Sequence, residues 1–380
     1  MPWLILSLVC LLQSSAESLA AKRRAWWRHA LKKRAPVLEC GDGSNRGGMM
    51  YGAGSNYGAA LKPLMSGCEF YINFRFAPCD IPRLVKALHI PAFFVTRSRC
   101  RLSGEEALLM FLKRMSYPDR LRNLIRFFNR SYGYISEMVE AVRKHLHGIA
   151  RKLLLRFDWR RLVPLRDMFA RMIHAKGHPL KIVALLLDGK FQACCRPYDA
   201  IFGYRSLRQR AFYNGAKKLH GYQNQGVGSP EGIVVEMHGP FQGRIHDSKM
   251  LTQSRLLIRM KRFFGLAVCL FADRGYSHGD PSLQVPFQGA AGRVEPGRSY
   301  NIACSAMRQP IEWMFGKVVI LFAFVDFKKN QKLYLQPVTS YFLIATLLTN
   351  CHSCLYGNQT SQYFQVPTPD LEDYLLTAFL

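Results

Sequence analysis

The amino-acid sequence predicts an α/β protein: a mixed β-sheet flanked by helices, preceded by a small all-helical module. Three observations carry this. Apolar runs of strand length stand at 182–187 (IVALLL), 232–237 (GIVVEM) and 266–272 (LAVCLFA), the pattern of strands covered on both faces. Between 81 and 162, apolar residues recur at helical spacing instead. Hydrophobic residues make up 49% of the chain, enough for a core and too many for a disordered chain.

The segments follow in order. Residues 1–20 hold a ten-residue apolar run, WLILSLVCLL, too short to span a bilayer. Ser14 and Ala16 sit at cleavage-site spacing, so the segment resembles a signal peptide, although no Lys or Arg precedes it. Residues 21–62 form a basic and Gly-rich linker. Its Lys22-Arg23-Arg24, Arg28 and Lys32-Lys33-Arg34 read as a nuclear-localisation or nucleic-acid patch. The two addresses conflict: a wrongly joined first exon would produce this, and so would true secretion. The expected location is the nucleus, with secretion as the alternative if residues 1–16 are a real signal peptide.

Residues 63–165 are expected to be helical. Ser103 offers an N-cap with Glu105 and Glu106 in the first turn. Leu121, Leu124, Ile125 and Phe128 form one stripe. A break at 129–133 leads into Ile135, Met138, Val139, Val142 and Leu146. Two helices joined by a short turn suggest a helix-turn-helix-like unit. Either its second helix enters a DNA groove, with Arg122, Arg126, Arg130, Arg143 and Lys144 near phosphates, or it is a plain helical bundle. Residues 180–355 form the α/β domain, with a helix near 306–318, and 356–380 are a C-terminal tail. No stretch beyond the N-terminus reads as a membrane span, and no membrane is expected for the mature chain.

Lys plus Arg number 53 against 25 Asp plus Glu, a net +28. A field of that sign favours a polyanion, nucleic acid first. The eleven cysteines show no paired CxxC spacing. Cys351-His352-Ser353-Cys354 has zinc-ligand residue types but no second pair, so buried thiols are the plainer reading. Asn129 and Asn358 head glycosylation sequons.

Acidic residues are scarce, so their places inform. Asp188 and Asp273 each follow an apolar strand, and Glu312 sits in the expected helix. Carboxylates at the C-terminal ends of neighbouring strands can converge at one sheet edge. There they repel unless a cation neutralises them. Mg²⁺ or Mn²⁺ suits such oxygen donors, and a pair about 4 Å apart can activate water against a phosphodiester. Taken singly, an Asp after a strand is more often a turn former or helix cap.

The words around these residues match a family. Asp188-Gly189 after a strand, YNGAKKLHGYQ at 213–223, GRIHDS at 243–248, ADRGY at 272–276 and RQPIEWMFG at 308–316 occur in the expected order. The segment resembles the DDE-superfamily endonuclease domain of PIF/Harbinger-type transposases. The resemblance implies an RNase H-like fold and a metal-dependent DNA nuclease or transposase. Its catalytic residues would be Asp188, Asp273 and Glu312, with Asp247 joining them as a metal ligand for Mg²⁺ or Mn²⁺. Lys217, Lys218, His220, His246, Arg274 and Arg308 would contact DNA; Lys190, beside the first metal ligand, would either contact DNA or pair with Asp188 and compete with the metal. The implied partners are DNA, a Myb-like accessory protein and further copies of the chain. Lys190, Phe191 and Trp313 depart from the family's words. They keep open a domesticated copy that binds DNA or protein without cutting. A secreted, polyanion-binding protein is the other alternative, suggested only by the N-terminus.

Overall fold

The computed structural model describes residues 65–197, 207–276, 279–376 and 378–379. The expected signal-like segment and linker lie outside these residues. The chain divides into two units, 1–55 and 56–380, and all that follows concerns the second.

It opens with α1 (Gly67–Phe74), α2 (Ile81–Ala87) and a hairpin of β1 (Phe93–Val95) and β2 (Arg101–Ser103). α3 (Gly104–Ser116) starts where the sequence places it: the Ser103 hydroxyl accepts from Glu106 N at 3.4 Å. α4 (Leu121–Phe128) ends at Asn129 in the left-handed conformation, and α5 (Tyr132–Ala150) restarts under a Ser131 cap. The turn is therefore shorter than expected, and Gly133 lies inside the helix. Ile135, Met138, Val139, Val142 and Leu146 are buried as the stripe requires. Arg143 does not reach outward to phosphate. It is 9% exposed, chelated by Glu140 and bonded to Ser340 Oγ.

α6 (Arg166–Ala175) leads to the sheet. Its strands are β3 (Val183–Ala193), β4 (Tyr213–Asn214), β5 (Leu219–Gly228), β6 (Val234–Gln242), β7 (Cys269–Ala272) and β8 (Leu283–Gln284). α7 (Leu207–Phe212), α8 (Asp247–Ser254) and α9 (Leu256–Phe264) lie between them. β6, β5 and β3 run antiparallel; β3, β7 and β8 run parallel. The mixed sheet flanked by helices is the RNase H-like arrangement expected. β5 is the strand that the hydrophobic pattern misses, because its central residues are the buried polar Gln223, Asn224 and Gln225. Gln223 meets that cost by donating to Ile245 O at 2.6 Å.

α10 (Gly297–Ser305) and α11 (Gln309–Leu321) follow, then α12 (Val338–Tyr356). α12 is long and apolar enough to cross a membrane, yet most of it is buried inside the protein. It is the core helix, packed between α5, β6 and the last helix. Residues 356–380 carry α13 (Gln359–Phe364) and α14 (Leu371–Leu376), which bury Phe364, Leu371 and Leu375. Cys351 and Cys354 lie on α12, and burial pushes the Cys354 thiol up to about 12. His352 Nε2 bonds Tyr71 Oη at 2.7 Å. This motif is packing, with no metal cluster among the described residues. Asn358 is likewise spent on structure, capping α13 and donating to Glu231 O.

Candidate active site at the sheet edge

Two acidic residues meet because two parallel strands are paired in register. β3 and β7 pair in parallel with Leu187 opposite Ala272; Asp273 follows the last residue of β7, and Asp188, expected just past a strand, lies within β3, which runs on to Ala193. The third arrives on a helix. α11 lies tight against the sheet because β5 presents glycine beneath it. A Cβ on Gly228 would stand 2.2 Å from Met314 Cε, and one on Gly226 would stand 2.6 Å from Phe315 Cζ. That approach brings Ile311 and Glu312 over the strand ends. The resulting cleft is lined by Leu187, Asp188, Ala272, Asp273, Arg308 and Glu312, among others.

The electrostatics follow from this crowding. Burial raises Asp188 to about 7, and the charges of Glu312, Asp247 and Asp273 add to it; a hydrogen bond from Gly189 N at 2.7 Å opposes the rise. Asp273 Oδ1 accepts from Arg274 N. Arg308 Nη2 donates to Asp273 Oδ2 at 3.0 Å and stands 3.9 Å from Glu312 Oε1. One guanidinium thus bridges two of the three carboxylates. Among the described residues, no three His, Cys, Asp or Glu side chains are gathered closely enough to enclose a metal; Arg308 is the cation at Asp273 and Glu312.

Asp247 opens α8 and reaches the same region over two glycines. Its Oδ1 lies 3.1 Å from where a Gly189 Cβ would be, and its Oδ2 lies 2.5 Å from that of Gly275. Burial raises its pKa, as does Asp273, while His246 and Lys217 oppose the rise. Its carboxylate accepts no hydrogen bond among the described residues, so the Asx-type turn role is not seen. The sequence reading missed Tyr276. Its phenol is fully buried beside Asp247 and makes no hydrogen bond among the described residues. Burial raises its pKa well above the ordinary value, with Asp247, Asp188 and Asp273 adding. The only sequence signal was its place in the ADRGY word.

The expected DNA contacts divide into two groups. Arg308 is inside the cleft and Arg274 is exposed at its rim. His246 is the exposed N-cap of α8. Lys190 lies two residues beyond Asp188, opposite Asn224 on β5. Lys217, Lys218 and His220 sit farther off, at the start of β5. Lys217 Nζ lies 4.8 Å above the Phe191 ring. This contact gives Phe191 a role, as packing against Tyr363 gives one to Trp313.

The donor set suits a divalent cation in kind: three carboxylates from two strands' chain segments and a helix, a fourth beside them, and a buried phenol without a hydrogen-bond partner among the described residues. Residues 187–350 match the family model described as DDE superfamily endonuclease. The match covers less than half of the chain, but it takes in all four carboxylates, and it supports a transposase-like nuclease domain. No curated protein and no solved structure matches the chain.

Proposed function

We propose that this DDE superfamily endonuclease domain is the cutting core of a PIF/Harbinger-type transposase, or of a nuclease derived from one. The observation that carries the reading is the meeting of Asp188, Asp273 and Glu312 at one sheet edge within the matched segment. A bound Mg²⁺ or Mn²⁺ would supply Lewis-acid neutralisation of phosphate charge and acidify water. Asp188, Asp273 and Glu312 would hold it, with Asp247 as a further ligand.

The chain's own tasks follow. Asp188 gives up the proton that burial favours, since only the carboxylate binds a cation. Arg308 releases Asp273 and turns to a phosphate oxygen, where its fork suits two hydrogen bonds. Arg274, His246 and Lys190, each within two residues of a carboxylate of the site, would fix the DNA backbone, while Lys217, Lys218 and His220 would hold it farther along. Most of the catalysis is positioning and charge stabilisation. Action in the nucleus, a Myb-like accessory protein and self-association are parts of this same reading.

The test is nicking of supercoiled plasmid by the full chain with Mg²⁺ or Mn²⁺, with EDTA, and with Asp273→Ala. Metal-dependent nicking that the substitution abolishes is the expected result. A second reading, a DNA-binding module that no longer cuts, draws on the Arg308 bridge across Asp273 and Glu312. Retained DNA binding without nicking, also with an accessory protein present, would favour it.

A further inference from the structure

We propose that Lys328, Lys329 and Lys332, together with Arg196, Lys217 and Lys218, form a DNA-backbone track continuing from the acidic cleft along β3. The track would hold the duplex that flanks the cut. The proposal rests on the DNA-cutting reading and deepens it.

β3 does not stop at Asp188 but runs on to Ala193. Past its end, Cys194 N donates to His220 O at 2.9 Å and Cys195 N donates to Gln331 O at 2.8 Å. The Cys195 thiol also donates to Lys328 O at 3.2 Å. These bonds dock the 328–331 segment onto the end of the strand. Beneath it, Leu333 packs on the buried cluster of Cys194, Tyr222 and Val338. The lysines therefore stand on a fixed element. From the other side, β5 pairs with β3 up to Gly221 opposite Ala193, so the turn with Lys217 and Lys218 comes to the same end.

All six cations are exposed. None of the five lysines forms an ion pair among the described residues. Arg196 and Lys328 both act on His220, whose pKa is lowered by burial first and then by their charges. The described segments 191–197, 207–228 and 326–337 contain a single acid, Asp326. Cations gathered with so little counter-charge repel one another, a cost relieved by a polyanion.

Distance favours duplex DNA entering the cleft. From Asp188 to Cys194 is six residues, about 20 Å of extended chain or roughly six base-pair steps. Lys217 joins the two regions: it lies over Phe191 in the track, and its charge also reaches Asp247.

The experiment is fluorescence anisotropy of a labelled duplex with the full chain across a range of KCl. It compares wild type with Lys328→Gln/Lys329→Gln/Lys332→Gln. The control is Arg171→Gln/Lys181→Gln/Arg262→Gln, which removes the same charge from exposed positions elsewhere. Each lost phosphate contact flattens the slope of log K against log salt by about 0.9, so the first variant should flatten by about 2 to 3 and the control should match wild type. A wild-type slope in the lysine variant overturns the track alone, as does equal flattening in both variants. A wild-type chain that does not bind DNA overturns the cutting reading as well.

Discussion

At Gly275 a hydrogen stands where any other residue would press a carbon against Asp247, 2.5 Å from Oδ2. Contacts that short do not occur, so the carboxylate must move. Gly275→Ala is expected to lower nicking on the order of 100-fold by misplacing Asp247, with the melting temperature little changed because residue 275 is exposed. Unchanged nicking would show that Asp247 is dispensable. Glycine there is legible in the sequence as part of ADRGY, but its reason is not. The reason lies in a side chain 28 positions earlier, delivered by the N-terminus of another helix.

Among the elements, α12 shows how one polar side chain fixes a helix against the sheet. Asn350 Oδ1 accepts from Val234 N at 3.1 Å, and its Nδ2 donates to Val234 O and Tyr374 Oη, both at 2.8 Å. The amide continues the ladder at the start of β6 and ties α14 to it. Asn350→Ala leaves three buried polar groups unmet and should cost about 2 to 4 kcal/mol in urea unfolding. A cost under about 1 kcal/mol would mean that water replaces the amide. The apolar face of α12 also explains why a membrane-length helix belongs in this core. It is enclosed by α5, β6 and α14 rather than by lipid. β5 shows the opposite case. Its Gly and Gln residues suit neither strand nor core by composition, yet it is a central strand, because glycine admits α11 and the Gln223 amide finds backbone partners.

The stability of the whole molecule carries a pH signature. Burial raises Glu231 to about 7 from its ordinary value of 4.5, against an opposing hydrogen bond from Ser229. Between those values the folded chain binds more protons than the unfolded chain. Stability is therefore fully present below about 4.5 and is lost as the pH rises through 7. Glu231→Gln has no carboxyl to ionise. From about pH 5 to about pH 8 its melting temperature should fall less than that of wild type, leaving the part that Asp188 contributes. Equal falls in both proteins would show Glu231 to be solvated. The net charge of +28 acts at the same scale. A field of that sign favours a polyanion as partner.

By itself, the sequence determined the fold class, the Ser103 helix start and the two aspartates that follow apolar runs. These are local matters: apolar runs, a cap and a polar stop each lie within a few residues. The family words at 188–316 added Asp247 as a candidate. Only the tertiary structure decided that Arg308 bridges Asp273 and Glu312, that Arg143 turns inward to Glu140 and Ser340, and that Tyr276 lies buried under the carboxylates. Each of these depends on elements distant in sequence being packed to within a few ångströms. No periodicity along the chain records which side chain such packing will bring opposite which.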